Sequence, residues 1–210
     1  MKKRETRHPQ RQRAVKRARG DSQVAPAPRK PAAVKALLLE DVVADHPHLL
    51  LVGINPGLRS GAVGHHFAGN GNPFWRLLHA AGLTPELLTY EQDQRLAAWG
   101  ISLTNICPRT TRTAAELTRA ELARGRAALA EKIAAWQPAV VAFVGVTVYR
   151  TFFGNADGPG PGPKPETIGK ARVFVVPNPS GLNASYPGFA DKLRWFQALR
   201  RFVDHPEGMP

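Results

Sequence analysis

The sequence predicts an α/β protein: a three-layer α/β/α domain around a central, mostly parallel four-stranded sheet. Three observations carry this reading. Four short apolar runs, HLLLVGI (48–54), ISLTNIC (101–107), AVVAFVG (139–145) and RVFVVPN (172–178), have the near-continuous hydrophobic character of buried strands. Helical segments alternate with them, and that succession implies parallel pairing. The unusual loops, GINPG, TNICPRTT and PNPSGLNAS, each follow a strand, where ligands of such sheets gather.

The elements follow in order. Residues 1–20 are basic and polar, and QVAPAPRKPAA (23–33) is a Pro/Ala linker expected to stay extended. VKALLLEDVVAD (34–45) predicts a short helix before the first strand. NPFWRLLHAAG (72–82) predicts another, with Asn72 as cap, Pro73 in its first turn and Gly82 at its end. TPELLTYEQDQRLAAWG (84–100) reads as a helix capped by Thr84 and closed by Gly100. TRAELARGRAALAEKIAAWQ (118–137) is a long amphipathic helix with Gly125 as an interior weakness. A short helix is expected near 146–153, then a flexible Gly/Pro loop, GNADGPGPGPKPETIG, and a closing helix over 186–204. The domain organisation is therefore a basic, disordered tail (1–33), a folded domain (34–204) and a short C-terminal tail (205–210).

Composition narrows the function. The chain has 210 residues and a formal charge of +13; residues 1–30 hold 11 Lys or Arg against Glu5 and Asp21, so they carry +9 of it. A basic arm on a mildly basic domain points to a polyanionic partner, nucleic acid first, with a solvated solubility tail as the alternative. The tail lacks an apolar core, which excludes a secretory signal. The longest apolar run, 139–149, is too short to span a membrane. Cys107 is the single cysteine, so no intramolecular disulfide, cysteine zinc site or iron–sulfur cluster is expected. The expected setting is a reducing, cytoplasmic compartment.

The stretch LVGINPGLRSGAVGHHFAGNGNPFW (51–75) holds six glycines, three asparagines and two adjacent histidines after a buried strand. Loops so long and specific usually hold a ligand. With NPSGLNA (178–184), and more weakly TNICPR (104–109), it resembles the mismatch-specific uracil-DNA glycosylases, bacterial relatives of thymine-DNA glycosylase within the uracil-DNA glycosylase superfamily. The similarity covers roughly residues 48–203.

The resemblance implies a cofactor-free, metal-free, monofunctional hydrolase that flips a uracil from a mismatched duplex and cuts its bond to deoxyribose. Asn55 is the implied catalytic residue, positioning water; an amide takes no proton at neutral pH, so it is no general base. Phe67 is implied to stack on the base. Backbone groups of Ile54 and Phe67 would read the pyrimidine edge, with Asn105 near C5 and Asn178 at the pocket edge. Gly57, Arg59, Ser60 and Ser180 are implied DNA-backbone contacts. Gly181 and Leu182 are the implied intercalation loop, Leu182 filling the hole left by the flipped base.

Several points stay open. Family members often carry Ser where Arg59 stands, and one version has Arg where this chain has Ala184, so the dependence on an opposite guanine is unsettled by sequence. His65 and His66 either line the pocket mouth, contact phosphate or have no role. Arg109 is a phosphate contact or a surface charge. Glu86, Glu91 and Asp93 are the nearest carboxylates that could assist. The expected partner is double-stranded DNA with a G·U or related mismatch, held by a monomer. Rival readings are a glycosylase for hypoxanthine or xanthine, and a non-catalytic DNA-damage binder. A phosphate-binding loop fails, because neither GxxxxGK[ST] nor GxGxxG follows the first strand.

Overall fold

The computed structural model describes residues 38–154, 160–180 and 183–205. The N-terminal tail, Gly181, Leu182 and the last five residues lie outside them.

Five strands form one sheet in the order β2-β1-β3-β5-β4. β1 is Leu49–Gly53, β2 Ile101–Asn105, β3 Val140–Val144, β4 Gly162–Ile168 and β5 Ala171–Val176. The first four in that order run parallel, and β4 pairs antiparallel with β5. The helices are α1 (Leu58–Val63), α2 (Phe74–Ala80), α3 (Arg119–Trp136), α4 (Val146–Phe153) and α5 (Phe189–Asp204). β1 and β3 are buried along their whole length because both faces of the sheet are covered. Leu49 and Leu51 pack with Phe74 and Leu78 of α2 and Phe196 and Leu199 of α5. Leu50 and Val52 point the other way, among Leu129 and Ile133 of α3 and Tyr149 of α4. The three-layer, mostly parallel architecture expected from the sequence is present. Among the described residues no helix is long and apolar enough to cross a membrane.

Among the described residues the strand count is five, not four. GPKPETI, expected within a flexible loop, is strand β4. Pro163 and Pro165 disguise it, yet proline is tolerated on a sheet edge, where one row of N–H groups needs no partner. Its burial alternates along the strand, as a one-faced edge requires.

Residues 38–45 are not helical. Val42 pairs antiparallel with Leu103, Leu38 with Arg109, and the Ala44 N–H donates to Ser102 Oγ at 3.0 Å. This strap closes the outer edge of β2, and Val42 is fully buried there. Asp41 fastens it further, accepting from Thr104 Oγ1 at 2.6 Å and pairing with Lys132 at 2.5 Å. An edge that needs covering has won over a helical apolar pattern.

The predicted helix over 84–100 is shorter and tighter. Residues Tyr90–Trp99 form a 3-10 helix, opened at Thr89, whose N–H donates to Gln92 Oε1 at 3.0 Å. Asp93 and Leu96, three apart, share its buried face, as three residues per turn demand. Thr84 instead donates its hydroxyl to Glu86 O in the preceding turn. Asn72 does meet α2, its Oδ1 accepting from the Phe74 N–H at 3.1 Å. Gly125 is a packing point of α3 rather than a weakness: a Cβ there would collide with the carbonyl of Ile106. The helix at 58–63 lies in a Gly-rich stretch that gave no helical signal.

Candidate active site

Four parallel strands end at one edge of the sheet, and their following loops surround one cleft of about 760 Å³. The described residues to which the resemblance gives a definite role line it: Ile54, Asn55, Gly57, Arg59, Ser60, Phe67, Asn105, Asn178 and Ser180, whereas His65 and Arg109 do not. Gly181 and Leu182 lie outside the described residues, but Ser180 and Asn183 on either side of them border the cleft.

Asn55 is half-buried and its amide has one orientation. Its Nδ2 is 3.1 Å from Pro56 O, 3.1 Å from Arg109 O and 2.6 Å from Thr111 Oγ1. The Thr111 hydroxyl gives its own proton to Thr113 O at 2.7 Å, so it can only accept from Asn55. Three acceptors around one end of the amide make that end the NH2. Oδ1 is left as the acceptor the side chain brings to the cleft.

Gly53 and Asn105 face each other at the ends of β1 and β2. A Cβ on Gly53 would collide with Asn105 Oδ1 and lie 3.9 Å from Phe67 Cζ. The absent side chain thus leaves room for the Asn105 amide and the Phe67 ring side by side. Phe67 stacks on the fully buried Phe74, with ring centroids 3.7 Å apart and planes 16° from parallel. Phe67 itself is half-buried and lines the cleft. The Phe67 backbone is left-handed, with φ 51°, which costs a non-glycine residue about 1–3 kcal/mol and is typical of functional sites.

The two histidines differ. His66 is buried; its Nε2 faces Glu40 O at 3.0 Å, and a carbonyl only accepts, so Nε2 carries the proton. Burial pushes its imidazole below the ordinary range, outweighing the upward pull of Glu40 O and Asp93. His66 is therefore neutral at neutral pH. His65 is part-exposed, with Nδ1 3.1 Å from Asp93 Oδ1. Among the described residues no group of three His, Cys, Asp or Glu side chains could hold a metal ion.

The remaining residues sort by partner. Ser60 is buried and its Oγ accepts from the Ala68 N–H at 3.0 Å, tying α1 to the segment after Phe67. Arg59 is exposed and rests on Tyr90, donating to its hydroxyl at 3.2 Å. Asn178 turns its own loop, Oδ1 accepting from the Ser180 N–H at 2.9 Å. Arg109 is committed to Glu121, whose carboxyl it holds down to about 2. Of the three nearby carboxylates, none lines the cleft: Glu86 pairs with Arg95, Glu91 borders a smaller hollow of about 370 Å³, and Asp93 is buried. The charged side chains that do line the cleft are Arg59 and Arg112, with no Asp or Glu among the described lining.

Sequence reading missed Leu39, Thr111, Gly145 to Thr147 and Tyr186, all at the cleft. Gly145 carried a usable signal, since it ends a buried strand as Gly53 does. Leu39 and Tyr186 carried none; only folding brings them there.

An α/β domain whose strand-end cleft carries two arginines and no carboxylate in its described lining suits a polyanionic ligand. Residues 40–200 match the family model of the Uracil DNA glycosylase superfamily, and the chain belongs to that superfamily. It is a family of DNA N-glycosylases, hydrolases that remove damaged bases in DNA repair, so the chain's macromolecular partner is DNA. The fold is also that of a solution NMR structure from Methanosarcina acetivorans, a protein assigned by name to the uracil DNA glycosylases. It is 19% identical, with a TM-score of 0.54, and the match covers 80% of this chain and 98% of that one.

Proposed function

We propose that this chain is a monofunctional, mismatch-directed uracil-DNA glycosylase that uses Asn55 in place of a carboxylate base. The observation that carries the reading is the Asn55 amide, held by three acceptors in a cleft whose described lining contains no Asp or Glu. A uracil flipped from the duplex lies on the Phe67 ring, with Asn105 beside C5. Asn55 Oδ1 accepts a hydrogen bond from the attacking water and aims it at C1′. The glycosidic bond breaks, its electron pair leaves with the base, water adds to C1′, and the proton it sheds ends on the departed base anion. Without a base to take the water's proton, the reaction forgoes a factor of about 10²–10⁴, and slow turnover follows.

No lysine stands among the described residues of the cleft, which favours simple hydrolysis over a Schiff base. Gly57, Arg59, Ser60 and Ser180 hold the backbone around the flipped nucleotide, Asn178 shapes the pocket edge, and Gly181 with Leu182 enters the duplex. Residues 34–204 form the catalytic domain. Residues 1–33 add phosphate affinity, 205–210 are a short tail, and the enzyme acts as a cytoplasmic monomer.

The test is single-turnover excision from labelled duplexes carrying G·U, A·U, G·T or G·hypoxanthine, with single-stranded uracil and the Asn55→Ala variant alongside. Excision from G·U that collapses in the variant supports the proposal. Full activity in Asn55→Ala would remove the water-positioning role; binding without excision would favour a damage binder. Preference for hypoxanthine would reassign the base, and equal use of A·U would tie the missing Arg at Ala184 to relaxed pairing. Removing residues 1–30 should flatten the salt dependence of duplex binding; an unaltered slope would rule out a phosphate role for the tail.

A further inference from the structure

The segment His65–Ala68 is tied down at every residue except Phe67. His65 Nδ1 is 3.1 Å from Asp93 Oδ1, and the His66 N–H donates to Asp93 Oδ2 at 3.0 Å. The His66 ring is pinned to Glu40 O, and the Ala68 N–H to Ser60 Oγ. Phe67 is caught between these anchors in its left-handed conformation. Asp93 engages two consecutive residues of this segment, and it does so with both carboxylate oxygens. It is 1% exposed, and it comes from a different element, the 3-10 helix 90–99. A buried carboxylate is costly unless each oxygen is satisfied, and here the loop satisfies both.

We infer that Asp93 is a positioning residue: it touches no substrate, but fixes the turn that aims the Phe67 ring across the cleft. The inference rests on the reading that Phe67 carries the flipped base. A ring that must swing into place would lose the benefit of preorganisation, and a displacement of about 1 Å can cost on the order of 10²-fold in rate.

A double-mutant cycle on a labelled G·U duplex tests this, with Phe67→Ala, Asp93→Ala and the double variant measured for single-turnover excision at saturating enzyme. Each variant's affinity for undamaged duplex and its thermal midpoint are measured beside it. Asp93→Ala should slow excision by about ten- to a hundredfold while leaving undamaged-duplex affinity in place. The double variant should be no slower than Phe67→Ala alone, because Asp93 acts through that ring. Asp93→Asn, which keeps an acceptor for the His66 N–H, should recover most of the rate even if the alanine variant folds poorly. Losses that multiply in the double variant would overturn the inference, as would a normal rate in Asp93→Ala. A normal rate in Phe67→Ala would instead sink the reading that the ring holds the base, and this inference with it.

Discussion

The 2.6 Å contact between Asn55 Nδ2 and Thr111 Oγ1 joins the loops after β1 and β2 at the point where chemistry is proposed. Because Thr111 spends its proton on Thr113 O, it imposes a direction on the Asn55 amide rather than merely touching it.

Thr111→Val keeps the shape and removes the acceptor. The amide is then held by two carbonyls instead of three acceptors. Single-turnover excision should fall on the order of tenfold or more, with duplex affinity unchanged. A loss of affinity with the rate preserved would contradict the orienting role.

Gly53→Ala would push a methyl group into the Asn105 amide. Overpacking of this kind costs about 1–3 kcal/mol, which denaturant unfolding would register. Excision should suffer as well, because relief requires Asn105 to leave its place beside Phe67. Full activity with an unchanged unfolding midpoint would mean that the strand ends are softer than the geometry implies.

Glu121 links acid stability to the same region. The Arg109 side chain and then Thr118 lower its carboxyl from an ordinary 4.5 to about 2. A depressed folded-state value stabilises the protein above the unfolded value, and that stabilisation is lost as pH falls from about 4.5 to about 2. Glu121→Gln should therefore flatten the decline of thermal midpoint with pH in that window. Both groups are partly exposed, so the effect should shrink in high salt. A decline unchanged from the parent would place acid sensitivity elsewhere.

The parts legible in the sequence were those whose signal is local. β1, β2, β3 and β5 announce themselves because strands buried on both faces must be apolar throughout, and the convergence of their loops follows from parallel pairing alone. Asn55 and Phe67 stood out because each lies within a stretch that carries the family resemblance. Other features depend on partners distant in the chain. Residues 38–45 look helical until β2 offers an uncovered edge. Pro163 and Pro165 look like loop formers until β5 accepts them as an edge strand. Asp93 reads as one of three acids that could assist at the site, and only the fold shows it buried beneath His65 and His66. Gly125 looks like a defect until Ile106 presses against it.

The strap over β2 also bears on how the chain is made. Ala44 bonds to Ser102, 58 positions later in the sequence. At a synthesis rate of about 5–20 residues per second, the strap is complete roughly 3–12 seconds before its partner strand exists. During that interval Leu39 and Val42 have no native surface to cover. Val42 docks on Leu103 and His66 bonds to Glu40 O, so the last act of that delay also fastens the loop beside the cleft. A nascent chain halted before residue 101 would carry the whole GINPG segment and still lack a formed active site.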